Sequence, residues 1–265
     1  MSGFPGGDIM RLIIEDDFKK LSKRAAKIIA NAIIKKPDLV LGLATGSTPL
    51  GTYKELIKMY NKENLDFSQV VTFNLDEYYN ISQDDKNSYN YYMHENLFKH
   101  INIKEENINI PKGNVKEIKD YCKEYDKKIK KCGGIDLQLL GIGNNGHIGF
   151  NEPDKELNLR THLTKLTKST IEANARFFNS IKEVPDRAIT MGLSSIMNSK
   201  KILLLASGKN KTNIIEELLT KDKATTEIPA SALLMHSNLT VILDEDAACN
   251  YKKRMKKGEK DEIIN

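Results

Sequence analysis

The chain has 265 residues, 40% hydrophobic and 29% charged, a balance that excludes long disorder and fibrous repeats and is enough for a large core without staples. Its net charge of +5 is spread over 41 basic and 36 acidic residues, so nothing marks a nucleic-acid surface, although a mild positive balance suits steering of a small anion. Three cysteines, Cys122, Cys132 and Cys249, form no Cys-x-x-Cys pair and point to a reducing, cytoplasmic setting, and no apolar run approaches the ~20 residues that span a bilayer.

Residues 1–9, MSGFPGGDI, read as an appended leader ahead of a natural start at Met10. Phe18, Leu21, Ala25, Ile28, Ile29, Ala32 and Ile33 recur at helical spacing and predict a helix over Asp16–Lys35, closed by Pro37. Leu39–Leu43 is a buried strand, Pro49–Asn61 a helix, Val70–Asn74 a strand and Val115–Lys131 a polar-faced helix. Leu137–Gly141 is a strand running into a Gly-rich loop. Next come a helix over Thr167–Phe178, strands at Ala188–Met191 and Lys201–Ala206, a helix over Asn210–Leu219 and a strand at Leu239–Leu243. The basic tail Lys252–Lys260 is a solvated helix end or a frayed terminus. Alternating strands and helices, without repeats or a dividing linker, predict one α/β domain spanning 10–265 with a mainly parallel sheet.

Ligands of such sheets sit beyond the carboxyl ends of the strands, and the chemically loaded residues fall there. Gly46-Ser47-Thr48, followed by Pro49, reads as a small-residue turn opening a helix, with Thr48 as cap and Pro49 in the first helical position. Converging amides and a helix N-terminus form an anion cradle suited to phosphate; a plain capped turn has the same pattern. The spacing is neither a Walker A motif nor a dinucleotide fingerprint. A phosphate dianion calls for cations as well. Arg176, beside Phe177 and Phe178, and Lys211, in SGKNK, are candidates among many solvated basic residues.

Asp76, just past the strand VVTFN, is a carboxylate whose partial burial would raise its pKa toward that of a general base; an Asp capping a turn would look the same. His147 lies in NNGHIGFNE, with Glu152 five residues on to orient its ring. Asp76, Glu77, His147 and Glu152 lack metal-ligand spacing, so no metal is expected. No G-x-S-x-G elbow occurs, so a serine nucleophile is not expected either.

The segments LGLATGSTPLGTY, VTFNLDEYY, GIGNNGHIGFNEP, STIEANARFF and ILLLASGKNK, in this order from Met10 to about Asp246, resemble the glucosamine-6-phosphate deaminase (isomerase) family. The resemblance implies a modified doubly wound, Rossmann-like sheet with helices on both faces. It also implies conversion of glucosamine 6-phosphate and water to fructose 6-phosphate and ammonia, without cofactor or metal. By the same resemblance Asp76 is the base that moves a proton from carbon-2 to carbon-1. His147 assists ring opening and Glu152 holds it. Gly46, Ser47, Thr48, Arg176 and Lys211 take the phosphate, and 161–185 forms a lid. Glu77 receives no defined role.

Asn145 stands where allosteric hexameric members carry Asp, so it is expected to orient by hydrogen bonding rather than to relay a proton. His162 and Thr164 stand where activator-binding members carry basic residues. The chain therefore resembles the non-allosteric, bacterial-type branch and is expected to be a monomer or small homo-oligomer. A 6-phosphogluconolactonase-like hydrolase and a sugar-phosphate sensor domain are the competing readings. The first leaves Asp76 without a purpose, and the second has no need of acid–base groups.

Overall fold

Strands whose successive residues are all apolar must be covered on both faces. The computed structural model, which describes residues 10–264, shows this arrangement; the leader expected at residues 1–9 lies outside the described residues. In chain order the elements are β1 Met10–Glu15, α1 Phe18–Lys35, β2 Val40–Leu43, α2 Leu50–Glu63, β3 Val71–Asn74, β4 Asp76–Tyr78, α3 Tyr89–Asn96, β5 Ile108–Asn109 and α4 Ile118–Lys131. There follow β6 Leu137–Gly141, β7 His162–Lys165, α5 Lys168–Asn174, β8 Arg187–Thr190, α6 Leu193–Met197, β9 Ile202–Ala206, α7 Thr212–Thr220, β10 Leu239–Asp244 and α8 Glu245–Ile264.

Seven strands form a parallel sheet in the order β1-β10-β9-β6-β2-β3-β5. Side chains alternate across it. Leu41, Leu43, Leu139, Leu203 and Leu205 meet α1, α2 and α3 through Leu21, Ile29, Tyr53 and Met93. Val40, Leu140, Leu204, Val241 and Leu243 meet α4, α7 and α8 through Ile129, Ile215, Leu218 and Ala247. From β2 the chain winds to β3 and β5 on one side, and from β6 to β9 and β10 on the other, so the switch point lies between β2 and β6.

The strand predicted at Ala188–Met191 is real but belongs elsewhere. As β8 it pairs antiparallel with both β4 and β7 in a second, three-stranded sheet. Leu75 hands the chain from one sheet to the other. Its N–H donates to Leu43 O of the large sheet at 3.1 Å, and its carbonyl accepts Met191 N at 2.7 Å beside the small one. Asp76 is thus the first residue of a strand, not a turn cap.

The cap expected from Thr48 is also corrected. Pro49, at φ −76° and ψ −12°, precedes Leu50 as the cap residue without a side-chain cap. Its carbonyl accepts Tyr53 N at 3.0 Å, so the helix begins one residue later than proline's preference suggested. The helix predicted to run to Phe178 gives way after Asn174 to a 3-10 turn, Ala175–Phe177. Phe178 then turns back against the Tyr78 ring, 5.7 Å away, a course a continuing helix would not allow. Lys211 closes a 3-10 turn, Lys209–Lys211, ahead of α7 rather than lying inside that helix. The basic tail lies within α8.

Asp136 fastens the sheet near the start of β6. It is buried, accepts Val40 N at 2.8 Å and pairs with Lys200 at 2.7 Å and Lys36 at 3.0 Å. Burial works to raise its pKa, but the bonds from Lys200, Val40 and Lys36 prevail and hold it below the usual value. Its folded value therefore lies under its unfolded one, so its contribution is present above about pH 4 and lost as pH falls through the folded value. Asp136→Ala orphans a buried N–H and should lower unfolding free energy at neutral pH by about 2 kcal/mol, with the gap to the parent closing in acid. Urea titrations at two pH values check this.

Candidate active site

A cleft of about 670 Å³ opens at the carboxyl ends of β2, β3, β6 and β9, over the switch point. Its lining includes Gly46, Ser47, Thr48, Asp76, Asn145, His147, Arg176 and Lys211. Glu152, the ninth residue expected at the site, stands behind His147.

The first wall is a carboxylate. Asp76 is only 5% exposed and its side chain takes no hydrogen bond among the described residues. Burial, followed by the charge of neighbouring Glu77, raises its pKa to about 8. Gly149 lies beside it, at a φ of +56° that side chains rarely adopt; a Cβ there would press on Thr190 Oγ1 at 3.1 Å and touch Asp76 Oδ2 at 3.4 Å. Residue 149 is thus held to glycine by its backbone conformation and by Thr190, while Asp76 lies at ordinary contact distance.

The second wall is the histidine loop. His147 Nδ1 lies 2.7 Å from Asn145 Oδ1 and 3.2 Å from Glu152 Oε2, and Asn145 Nδ2 donates to that same Glu152 oxygen at 2.8 Å. Both groups facing Nδ1 are acceptors, so Nδ1 carries the hydrogen and, in the neutral ring, Nε2 is the unprotonated nitrogen. Burial alone would raise the Glu152 pKa, but the hydrogen bond and charge of His147 bring it to about 2. Glu152 is therefore ionised across the neutral range. Gly143 gives the ring its seat, since a Cβ at that position would fall 2.3 Å from His147 Nδ1.

The third wall is cationic. Arg176 Nη2 donates to Ser47 Oγ at 3.3 Å, and its guanidinium lies 4.7 Å over the Phe177 ring. Lys211 Nζ donates to Asn144 Oδ1 at 2.6 Å. Burial and then the charge of Arg176 lower the Lys211 pKa to about 8. Neither cation pairs with a carboxylate among the described residues. Two like charges thus face the same cleft near enough to repel each other, Arg176 on Ser47 and Lys211 on Asn144. Tyr92 OH, from α3, donates to Gly46 O at 2.6 Å and fixes this turn from behind. The strap 161–185 carries Thr170, Asn174 and Arg176 to the rim.

Asn144, Tyr89, Ser207 and Asn210 also line the cleft and were not singled out from the sequence. Asn144 sits inside a motif that drew attention through its His. Tyr89 lies on a helix whose sequence, YNYYMHEN, has no apolar stripe. Among the described residues no three His, Cys, Asp or Glu side chains gather into a metal-binding group, and no helix is long and apolar enough to cross a membrane.

The family model described as glucosamine-6-phosphate isomerases/6-phosphogluconolactonase matches residues 15–242. The chain belongs to this family. Within it, a glucosamine-6-phosphate deaminase from Clostridium acetobutylicum is 57% identical over 90% of this chain and 99% of its own length. One from Thermoanaerobacter sp. (strain X514) is 55% identical over 90% and 94%. A solved monomeric glucosamine-6-phosphate deaminase superposes with a TM-score of 0.89 at 47% identity, over 91% of this chain and 100% of that one. A 6-phosphogluconolactonase from Trypanosoma brucei shares the fold, with a TM-score of 0.71 at 18% identity over 92% and 99%.

The buried carboxylate has a thermodynamic consequence. The folded pKa of Asp76, about 8, lies above its unfolded value of about 4. The folded state holds this proton more tightly, so stability falls as pH rises between the two values. Asp76→Asn should therefore melt higher than the parent at pH 8, with the difference vanishing near pH 4. Thermal unfolding at both pH values checks this; a lower melting point for the variant at pH 8 would show that the ionised carboxylate is well solvated or paired.

Proposed function

We infer that the chain converts glucosamine 6-phosphate and water to fructose 6-phosphate and ammonia. The observation that carries the reading is one cleft with a buried, unbonded carboxylate and a carboxylate-backed histidine facing two cations without counter-charge. The names of the curated relatives at 57% and 55% identity support it.

In this reading the substrate phosphate enters between Arg176, Lys211 and the Gly46-Ser47-Thr48 turn. Binding it there orients the far end of the sugar without touching the reacting bonds. His147 serves ring opening: Nε2 exchanges the proton that leaves the carbon-1 hydroxyl and the one the ring oxygen gains. Asn145 and Glu152 fix the tautomer and support the transient positive charge. The Asp76 carboxylate then removes the carbon-2 proton. That electron pair becomes the carbon-1–carbon-2 double bond as the carbon-1 oxygen takes up a proton, giving an enolamine. Asp76 returns a proton to carbon-1, which leaves an imine at carbon-2. Water adds to that carbon, the carbon–nitrogen bond breaks and ammonia departs. A single carboxylate can serve both carbons because they are adjacent in a planar intermediate.

Lactone hydrolysis needs no carbon acid to be deprotonated, so it leaves the Asp76 setting without use. The monomeric solved relative and the non-acidic Asn145 support a monomer that N-acetylglucosamine 6-phosphate does not activate. Three free cysteines suit the cytoplasm.

The base works deprotonated and the Lys211 clamp works protonated. Both titrate at about 8 in the free protein, so kcat/KM for ammonia release should rise toward pH 8 as Asp76 ionises and fall beyond it as Lys211 loses its charge. Asp76→Asn should lower turnover by at least ~10³-fold while retaining sugar-phosphate binding by calorimetry. Near-normal ammonia release by that variant, or an acid limb near pH 4, would rule out Asp76 as the buried base.

A further inference from the structure

Glu77 is fully buried, next to the base, and no step above employs it. Strand geometry sends its side chain to the face opposite that of Asp76. There its Oε1 accepts Tyr78 N at 2.9 Å and Tyr89 N at 2.8 Å, and its Oε2 accepts Asn90 N at 2.9 Å. Tyr89 and Asn90 open α3. The next N–H, that of Tyr91, goes to the Ser88 hydroxyl at 2.9 Å, and Tyr92 N goes to Ser88 O at 3.0 Å. The N–H groups that a helix start leaves unpaired are thus all met, two of them by a carboxylate from β4. The same helix is fixed independently through Tyr92 to Gly46 O.

We propose that Glu77 is a positioning residue for the base: its carboxylate bolts β4 to the start of α3, and this sets the direction in which Asp76 enters the cleft. The attachment is specific to a carboxylate. With three N–H groups shared between two oxygens, a Gln at 77 must turn its own NH2 toward at least one of them. Burial raises the Glu77 pKa to about 7 against the pull of its three backbone N–H bonds, and where it is ionised it sets a negative charge one residue from Asp76. That charge makes Asp76 a stronger base once ionised. The other titratable groups facing the pair are Tyr78 on β4, Asp85 in the loop before α3, Tyr89 on α3, and Tyr121 and Tyr125 on α4. Across the cleft stand His147, Arg176 and Lys211.

The proposal rests on Asp76 being the base, and the experiment separates the two claims. Ammonia release is followed against pH for the parent, Glu77→Gln, Ser88→Ala and Asp76→Asn, each normalised to folded protein by circular dichroism. Ser88→Ala frays the same helix start without touching the carboxylate, and so reports loss of helix stability alone. For Glu77→Gln we expect kcat to fall at least ~10-fold, KM to stay within about threefold, and the acid limb of kcat/KM to move down by roughly one pH unit. Ser88→Ala is expected to melt earlier and keep the parent's limb and kcat. Parent-like kcat and limb in Glu77→Gln, or the same kinetic changes in Ser88→Ala, overturn the positioning role while Asp76→Asn remains inactive. An active Asp76→Asn overturns the base assignment itself. If Glu77→Gln does not fold, Glu77→Asp, which keeps the charge but shortens the reach, is expected to keep the limb and lose kcat; parent-like kcat in that variant overturns the proposal.

Discussion

A carboxylate buried without a cation beside it is the constraint around which the molecule is arranged. Among the described residues Asp76 has no ion pair to relieve its burial, and the charge of neighbouring Glu77 is of the same sign. An isolated charge in such a place is costly, and a surface that only had to be stable would replace it. Here the fold holds it in place from several directions. Leu75 is tied to both sheets, Glu77 is bonded to α3, and the turn at Gly149, whose positive φ favours glycine, lies against the carboxylate. Reactivity and stability are opposed at this residue.

The opposite wall mirrors that arrangement. Arg176 and Lys211 come from segments 35 residues apart in sequence and repel one another. The strap over 161–185 brings one and the end of β9 the other. In the proposed reading, these like charges, without a carboxylate partner among the described residues, act as a sorting device: a dianion at one end of a substrate would satisfy the cations and put the other end against Asp76 and His147. The switch point between β2 and β6 makes this geometry available, because strands departing in both directions leave their loops facing each other.

Much of this was legible in the sequence, for reasons of range. Asn145, His147 and Glu152 lie within eight residues, so a Gly-rich run at a strand end brings them together almost locally. The central strands are continuous apolar runs and declare themselves. What escaped depended on distant contacts. β1 read only as a start, since an edge strand is half-buried and lacks a strong pattern. α3 lacks an amphipathic stripe, and its purpose, joining Glu77 to Gly46, appears only when residues 12, 13 and 46 positions apart meet. The second sheet stayed hidden because β4 is three residues long and pairs with β8, more than 100 positions away. Thr48 was misread as a cap because proline's fixed φ suits the cap position as well as the first helical one.

Following the carbon-2 hydrogen tests the central claim most directly. Glucosamine 6-phosphate carrying deuterium at carbon-2 is turned over in ordinary water, and the products are read by NMR with ammonia measured in parallel. Transfer by one buried carboxylate predicts ammonia and fructose 6-phosphate in equal amounts, a slower rate than with unlabelled substrate, and deuterium lost to water or found on carbon-1. Release of ammonia with glucose 6-phosphate that keeps its deuterium on carbon-2 would contradict it, because the nitrogen would then have left without any proton abstraction by Asp76.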